Sequence, residues 1–119
     1  MILRRTVRSL DANPLTLLPG NTSIMEELQQ RITLSKPFAV GYVDLDKFKI
    51  YNDKYGFEKG DEVIRLTARI IVEAANRAGV KDTFVGHIGG DDFVFVCDDN
   101  IADAISQTMT DPTKIRINR

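Results

Sequence analysis

Cysteine is nearly missing from this chain: Cys97 is the single one among 119 residues, which excludes an internal disulfide. It stands in an apolar run, where a thiol behaves as a small buried hydrophobe, and a reducing, cytoplasmic setting fits. A surplus of one charge is missing too. The formal net charge is −1, so the basic excess of a duplex-binding protein is not there and no nucleic-acid partner is expected. No apolar run is long enough to cross a bilayer, so direct membrane insertion is not expected. The opening MILRRTVRSL has arginines but no following hydrophobic region, unlike a secretory signal; residues 1–10 read as a helical lead-in or linker. Neither an internal repeat nor a low-complexity segment occurs.

What is there suffices for one domain over residues 11–119, since 43% of the chain is apolar. DANPLTLLPGN, residues 11–21, breaks any helix coming from the N-terminus. Asn21, Thr22 or Ser23 then caps a helix to Ser35, with Glu26 or Glu27 near its first turn and Ile24, Leu28 and Ile32 on one face. FAVGYVDL, residues 38–45, reads as a central strand buried on both faces. A short helix with Asp46 as cap follows, ending at Gly56. A longer one spans residues 59–78, with Val63, Leu66, Thr67, Ile70, Ala74 and Ala78 inward and Gly79 as its stop. Strands are expected at 83–88 and 93–97, with Gly89, Gly90, Asp91 and Asp92 forming a β-hairpin turn between them. A helix over 100–109 and a short strand in KIRIN complete the order. The fold class is α+β: a ferredoxin-like, nucleotidyl-cyclase-like antiparallel sheet with helices on one face.

Asp44 ends the first strand and Asp92 ends the hairpin turn. In such a sheet both fall at the same edge, and two carboxylates brought together repel unless a proton or a cation lies between them. Hard oxygen ligands there suit Mg²⁺, which also takes substrate phosphates. Each residue also has a plainer reading. Two glycines and an acid make an ordinary hairpin, Asp44 or Asp46 can cap a turn, and Asp61 suits a helix's first turn. Asn52 can be a surface turn residue, and Lys49 a solvated charge. A calcium loop fails because Phe48 falls where a third oxygen belongs, and GFEKGDEV lacks the ending of a Walker loop.

Three stretches, LTLLPGN (15–21), VDLDKFKIYNDKYGFEKGDEVI (43–64) and GHIGGDDFVFV (86–96), together resemble the GGDEF, or diguanylate cyclase, domain family over residues 11–98. The resemblance implies condensation of two GTP molecules into cyclic di-GMP with Mg²⁺ or Mn²⁺, each of two facing domains holding one GTP. It also implies an upstream sensor domain. By position, Asp44, the Leu45 carbonyl and Asp92 are implied as metal ligands. Asp91 falls where an acid helps deprotonate the attacking hydroxyl, within the turn of Gly89 and Gly90. Asn52 and Asp61 align with the guanine-reading pair, and Phe48 and Lys49 with groups that approach the phosphates.

The chain departs from the family pattern in several places. Asp92 stands where glutamate is usual, one methylene shorter. His87 stands where arginine is frequent, which bears on a phosphate or partner contact; as a lone histidine it reads as a structural strand residue. Val80-Lys81-Asp82-Thr83 replaces the inhibitory R-x-x-D, so product inhibition there is not expected. Leu17 and Gly20-Asn21 differ from the common form of their block. The chain also closes soon after Cys97, short of the usual phosphate-binding lysine, and reads as incomplete at its C-terminus. The resulting readings are a GTP-using cyclase domain, a catalytically degenerate relative that binds GTP or a protein and regulates a neighbour, and a ferredoxin-like module without nucleotide.

Overall fold

The computed structural model describes residues 11–77, 83–107 and 113–118, without the side chains of 106, 107 and 113–118. The lead-in over 1–10, Ala78, Gly79, residues 80–82 and the end of the helix expected to 109 lie outside that set.

The elements run α1 (Asn21–Leu34), β1 (Phe38–Leu45), α2 (Phe48–Tyr55), α3 (Phe57–Arg77), β2 (Phe84–Gly89), β3 (Asp92–Asp98), a 3₁₀ turn (Asp99–Ile101), α4 (Ala102–Gln107) and β4 (Thr113–Asn118). The strands form one sheet in the order β2-β3-β1-β4, every neighbouring pair antiparallel. This is the split βαβ arrangement of a ferredoxin-like sandwich, as expected. Its connections put β1 and β3, far apart in sequence, side by side at the centre.

One face of the sheet carries the main core. Ala39, Val43 and Leu45 of β1 and Phe93, Phe95 and Cys97 of β3 meet Ile64, Ala68, Ile71 and Ala74 of α3 and Ile105 of α4. Cys97 is buried, as a structural thiol should be. The other face is not bare. Ile24 of α1 lies against Gly86 of β2, so helices cover both faces rather than one. The cover is incomplete over β1, where Tyr42 is 45% exposed, so this strand is not buried on both faces.

Several local expectations shift for physical reasons. α1 buries Ile24, Glu27 and Arg31, while Ile32 faces solvent. Its inward face carries an ion pair, Arg31 Nε to Glu27 Oε2 at 2.9 Å, and the guanidinium also reaches the Val96 carbonyl. Asn21, Thr22 and Ser23 do not cap α1. Gly20 is the N-cap, and Asp11 supplies the oxygens, accepting from the Ser23 N–H at 2.9 Å and the Ser23 hydroxyl at 2.8 Å. Asp46 does not cap α2 either; Lys47 holds that position with φ 57°. In α3 the buried stripe is Gly60, Ile64, Thr67, Ala68, Ile71, Ala74 and Ala75, and Leu66 is 51% exposed.

Candidate functional site

The site begins where β1 runs out. Strand alternation sends Leu45 into the core and Asp44 to the opposite face. The antiparallel register pairs Asp44 directly with Asp92, the first residue of β3. Side chains opposite each other on such a ladder share a face, with β-carbons about 4.5–5.5 Å apart. Asp44 is half-buried, with its Oδ1 enclosed, and Asp92 is exposed. The two acids that sequence alone placed at one edge are thus brought together. Leu45 turns its side chain away, so its carbonyl is the group it has left to offer.

Asp92 belongs to the strand rather than to the turn. The hairpin closes with Gly89 opposite Asp92, leaving Gly90 and Asp91 as a two-residue loop. Gly90 has φ 54° and Asp91 is not among the residues of positive φ, the sign pattern of a type II′ turn. Gly89, at φ 148°, occupies a region open to glycine almost alone. A bulge between His87 and Gly89 precedes the loop and re-aims the chain there.

His87 is a structural residue, 2% exposed. Its ring stacks on Phe93 at 4.4 Å, with Nδ1 2.9 Å from the Thr16 hydroxyl and Nε2 3.0 Å from the Gly90 carbonyl.

From Leu45 the chain turns through Asp46 and Lys47 into α2. A non-glycine residue in the left-handed region costs roughly 1–2 kcal/mol, and Lys47 is such a residue at the mouth of the site. Tyr51 makes its helical bond back to Lys47, so the N–H groups of Phe48, Lys49 and Ile50 lie in the first turn, ahead of the helical ladder. Lys49 is exposed and pairs with Asp53 at 3.2 Å. Asn52 lies four residues after Phe48, about 6 Å along the helix axis.

Gly56 ends α2 and α3 starts at once, folding the two helices against each other. Their contact carries a residue the sequence reading passed over, Gly60. A β-carbon there would overlap Asn52 Oδ1 and stand 3.2 Å from Phe48 Cζ. Glycine therefore leaves the room in which Asn52 rests, beside exposed Asp61. The signal was available: a glycine inside a helical pattern asks for a packing reason.

No group of three or more His, Cys, Asp or Glu side chains that could hold a metal occurs among the described residues. Two facing carboxylates are instead a partial oxygen set. Such a set fits a hard divalent cation that keeps waters and takes further ligands from a phosphate substrate, not a cation caged by protein alone.

The sequence pattern described as "Diguanylate cyclase, GGDEF domain" matches residues 11–116. The cyclic di-GMP phosphodiesterase PdeB of Shewanella oneidensis is 30% identical over 95 residues, covering 80% of this chain and 11% of that protein. The diguanylate cyclase DgcP of Escherichia coli is 31% identical over 86 residues, covering 69% of this chain and 24% of that protein. This chain therefore spans a quarter or less of these relatives. The diguanylate cyclase SiaD of Pseudomonas aeruginosa, solved with its activator SiaC, shares the fold at TM-score 0.75 and 17% identity, over 99% of this chain and 54% of that one. No described helix is long and apolar enough to cross a membrane. With the match running from residue 11 to residue 116, the chain belongs to the diguanylate cyclase GGDEF domain family.

Proposed function

We propose that residues 11–119 form a cyclase domain that condenses two GTP molecules into cyclic di-GMP. The observation that carries this reading is the direct pairing of Asp44 with Asp92 across β1 and β3. In the reaction each 3′-hydroxyl attacks the other nucleotide's α-phosphate. Two P–O bonds form, two break, two pyrophosphates leave, and each hydroxyl gives up a proton. A bound Mg²⁺ or Mn²⁺ would offset triphosphate charge and polarise the α-phosphate.

The chain's own residues divide the remaining work. Asp44, the Leu45 carbonyl and Asp92 hold the cation. Asp91, next to Asp92 in the turn, accepts the hydroxyl proton, and Gly89 and Gly90 let the backbone come close. Phe48 offers its first-turn N–H to phosphate, and Lys49 leaves its exposed pair with Asp53 to do the same. Such a surface pair is worth about 1 kcal/mol or less, so a triphosphate outbids it. Asp61 accepts the two guanine donors, N1–H and the exocyclic amine, and Asn52 offers its amide beside it. Adenine lacks that donor pair and would leave the acid unmatched.

One domain holds one nucleotide, so a second copy must face the first. The upstream partner is a sensor domain, and the setting is the cytoplasm, where GTP is found. The test is incubation of the purified chain with GTP and Mg²⁺, followed by mass spectrometry. Cyclic di-GMP from GTP, and no cyclic product from ATP, is the expected result. GTP and Mg²⁺ that bind without turnover would favour the regulatory reading instead.

A further inference from the structure

Two glycines in succession give the turn before Asp91 and Asp92 more backbone freedom than any other pair of residues would. Something must hold it, and one ring does so from inside the protein. His87 places Nε2 at 3.0 Å from the Gly90 carbonyl, while Nδ1 lies 2.9 Å from Thr16 Oγ1. A carbonyl only accepts, so Nε2 carries a hydrogen, and in the neutral ring Nδ1 is left as the acceptor. Thr16 Oγ1 accepts the Leu18 N–H at 3.4 Å and gives its own hydrogen to Nδ1. The chain of donors is thus complete: Leu18 to Thr16, Thr16 to His87, His87 to the turn. Phe93 fixes the ring plane by stacking, and the His87 N–H bonds the Pro19 carbonyl at 2.9 Å. Both ring nitrogens are engaged and the ring is buried, so neither is offered to a substrate.

We propose that His87 is a positioning residue. Its bond to Gly90 sets the direction in which Asp91 and Asp92 leave the turn, and Thr16, from the loop before α1, sets the ring. The catalytic consequence rests on the function proposed above; the wiring itself does not. A displacement of about 1 Å at reacting groups costs on the order of a hundredfold in rate, so a loosened turn should show in kcat.

Two substitutions separate the two nitrogens. His87→Asn keeps a polar atom facing Thr16 but does not reach Gly90; His87→Gln reaches Gly90 with an amide N–H and gives up Thr16. His87→Asn is expected to lower kcat for cyclic dinucleotide formation by at least about tenfold with KM for GTP little changed. His87→Gln is expected to stay within about threefold of the parent. Equal losses in the two variants, or none in His87→Asn, would overturn the proposal.

A second readout needs no turnover. His87 is the only histidine in the chain, so its ¹⁵N imidazole spectrum is unambiguous and should show hydrogen on Nε2. Amide exchange at Gly90, Asp91 and Asp92 should quicken about tenfold or more in His87→Asn and stay unchanged in His87→Gln. If the parent chain makes no cyclic dinucleotide, the proposed function falls while these two spectra still decide the positioning role. An Nδ1–H tautomer, or matching exchange in both variants, would refute it.

Discussion

Asn52 Oδ1 fills the space that a side chain at Gly60 would occupy, so one residue of α2 rests in a notch cut into the first turns of α3. The consequence for Gly60→Ala has opposite signs for folding and for binding. Alanine is favoured over glycine inside a helix by about 1 kcal/mol, the atom it would overlap is the tip of a side chain that can swing away, and Phe48 Cζ at 3.2 Å has only to give slightly. Stability in urea should hold or rise, while KM for GTP rises by roughly tenfold because Asn52 has moved. Loss of stability with unchanged KM would contradict this arrangement.

Asp61 stands exposed beside that notch. In the proposed site Asp61→Ala would remove a charged acceptor from the guanine edge, and hydrogen bonds to charged groups are worth about 1.5–3 kcal/mol. Affinity for GTP should fall roughly 10- to 150-fold, with affinity for ATP scarcely moved. Competition binding of the two nucleotides checks it, and an unchanged GTP affinity would remove Asp61 from the guanine site.

Asp92 is one methylene shorter than the glutamate usual in the family. Asp92→Glu should leave the fold unchanged, since the position is exposed at the start of β3. Turnover by this variant should match or exceed that of the parent. A fall of about tenfold or more would mean that the site is built around the shorter acid.

Asp11 caps α1 from outside the helix through two hydrogen bonds to Ser23. Asp11→Ala should cost about 1 kcal/mol in chemical denaturation, as loss of an N-terminal cap does. An unchanged midpoint would show that the cap carries no weight.

The sequence was most legible where a feature is local. FAVGYVDL is a strand with its acid next to last, and the two glycines between two apolar runs form the hairpin that was their simplest connection. Even the placing of Asp44 and Asp92 at one edge of the sheet followed from the order of elements, because a split βαβ sheet leaves few places for its first and third strands, while their direct pairing is set by the register. Legibility failed where a neighbour decided. The apolar residues of α3 span so much of its circumference that either Leu66 or Ile64 could face inward, and the sheet chose Ile64. On α1, Glu27 and Arg31 neutralise each other on the buried side, so the apolar pattern pointed to exposed Ile32. The cap from Asp11 and the link from Thr16 to His87 join residues distant along the chain, and no local pattern announces them.

The central claim is that Asp44 and Asp92 hold one divalent cation together. It is tested most directly by a double-mutant cycle on Mn²⁺ affinity, measured with a non-hydrolysable GTP analogue bound. Asp44→Asn and Asp92→Asn should each weaken Mn²⁺ binding by about tenfold or more, with the double variant little worse than either alone. Losses that simply multiply, or Mn²⁺ binding that neither substitution alters, would contradict it.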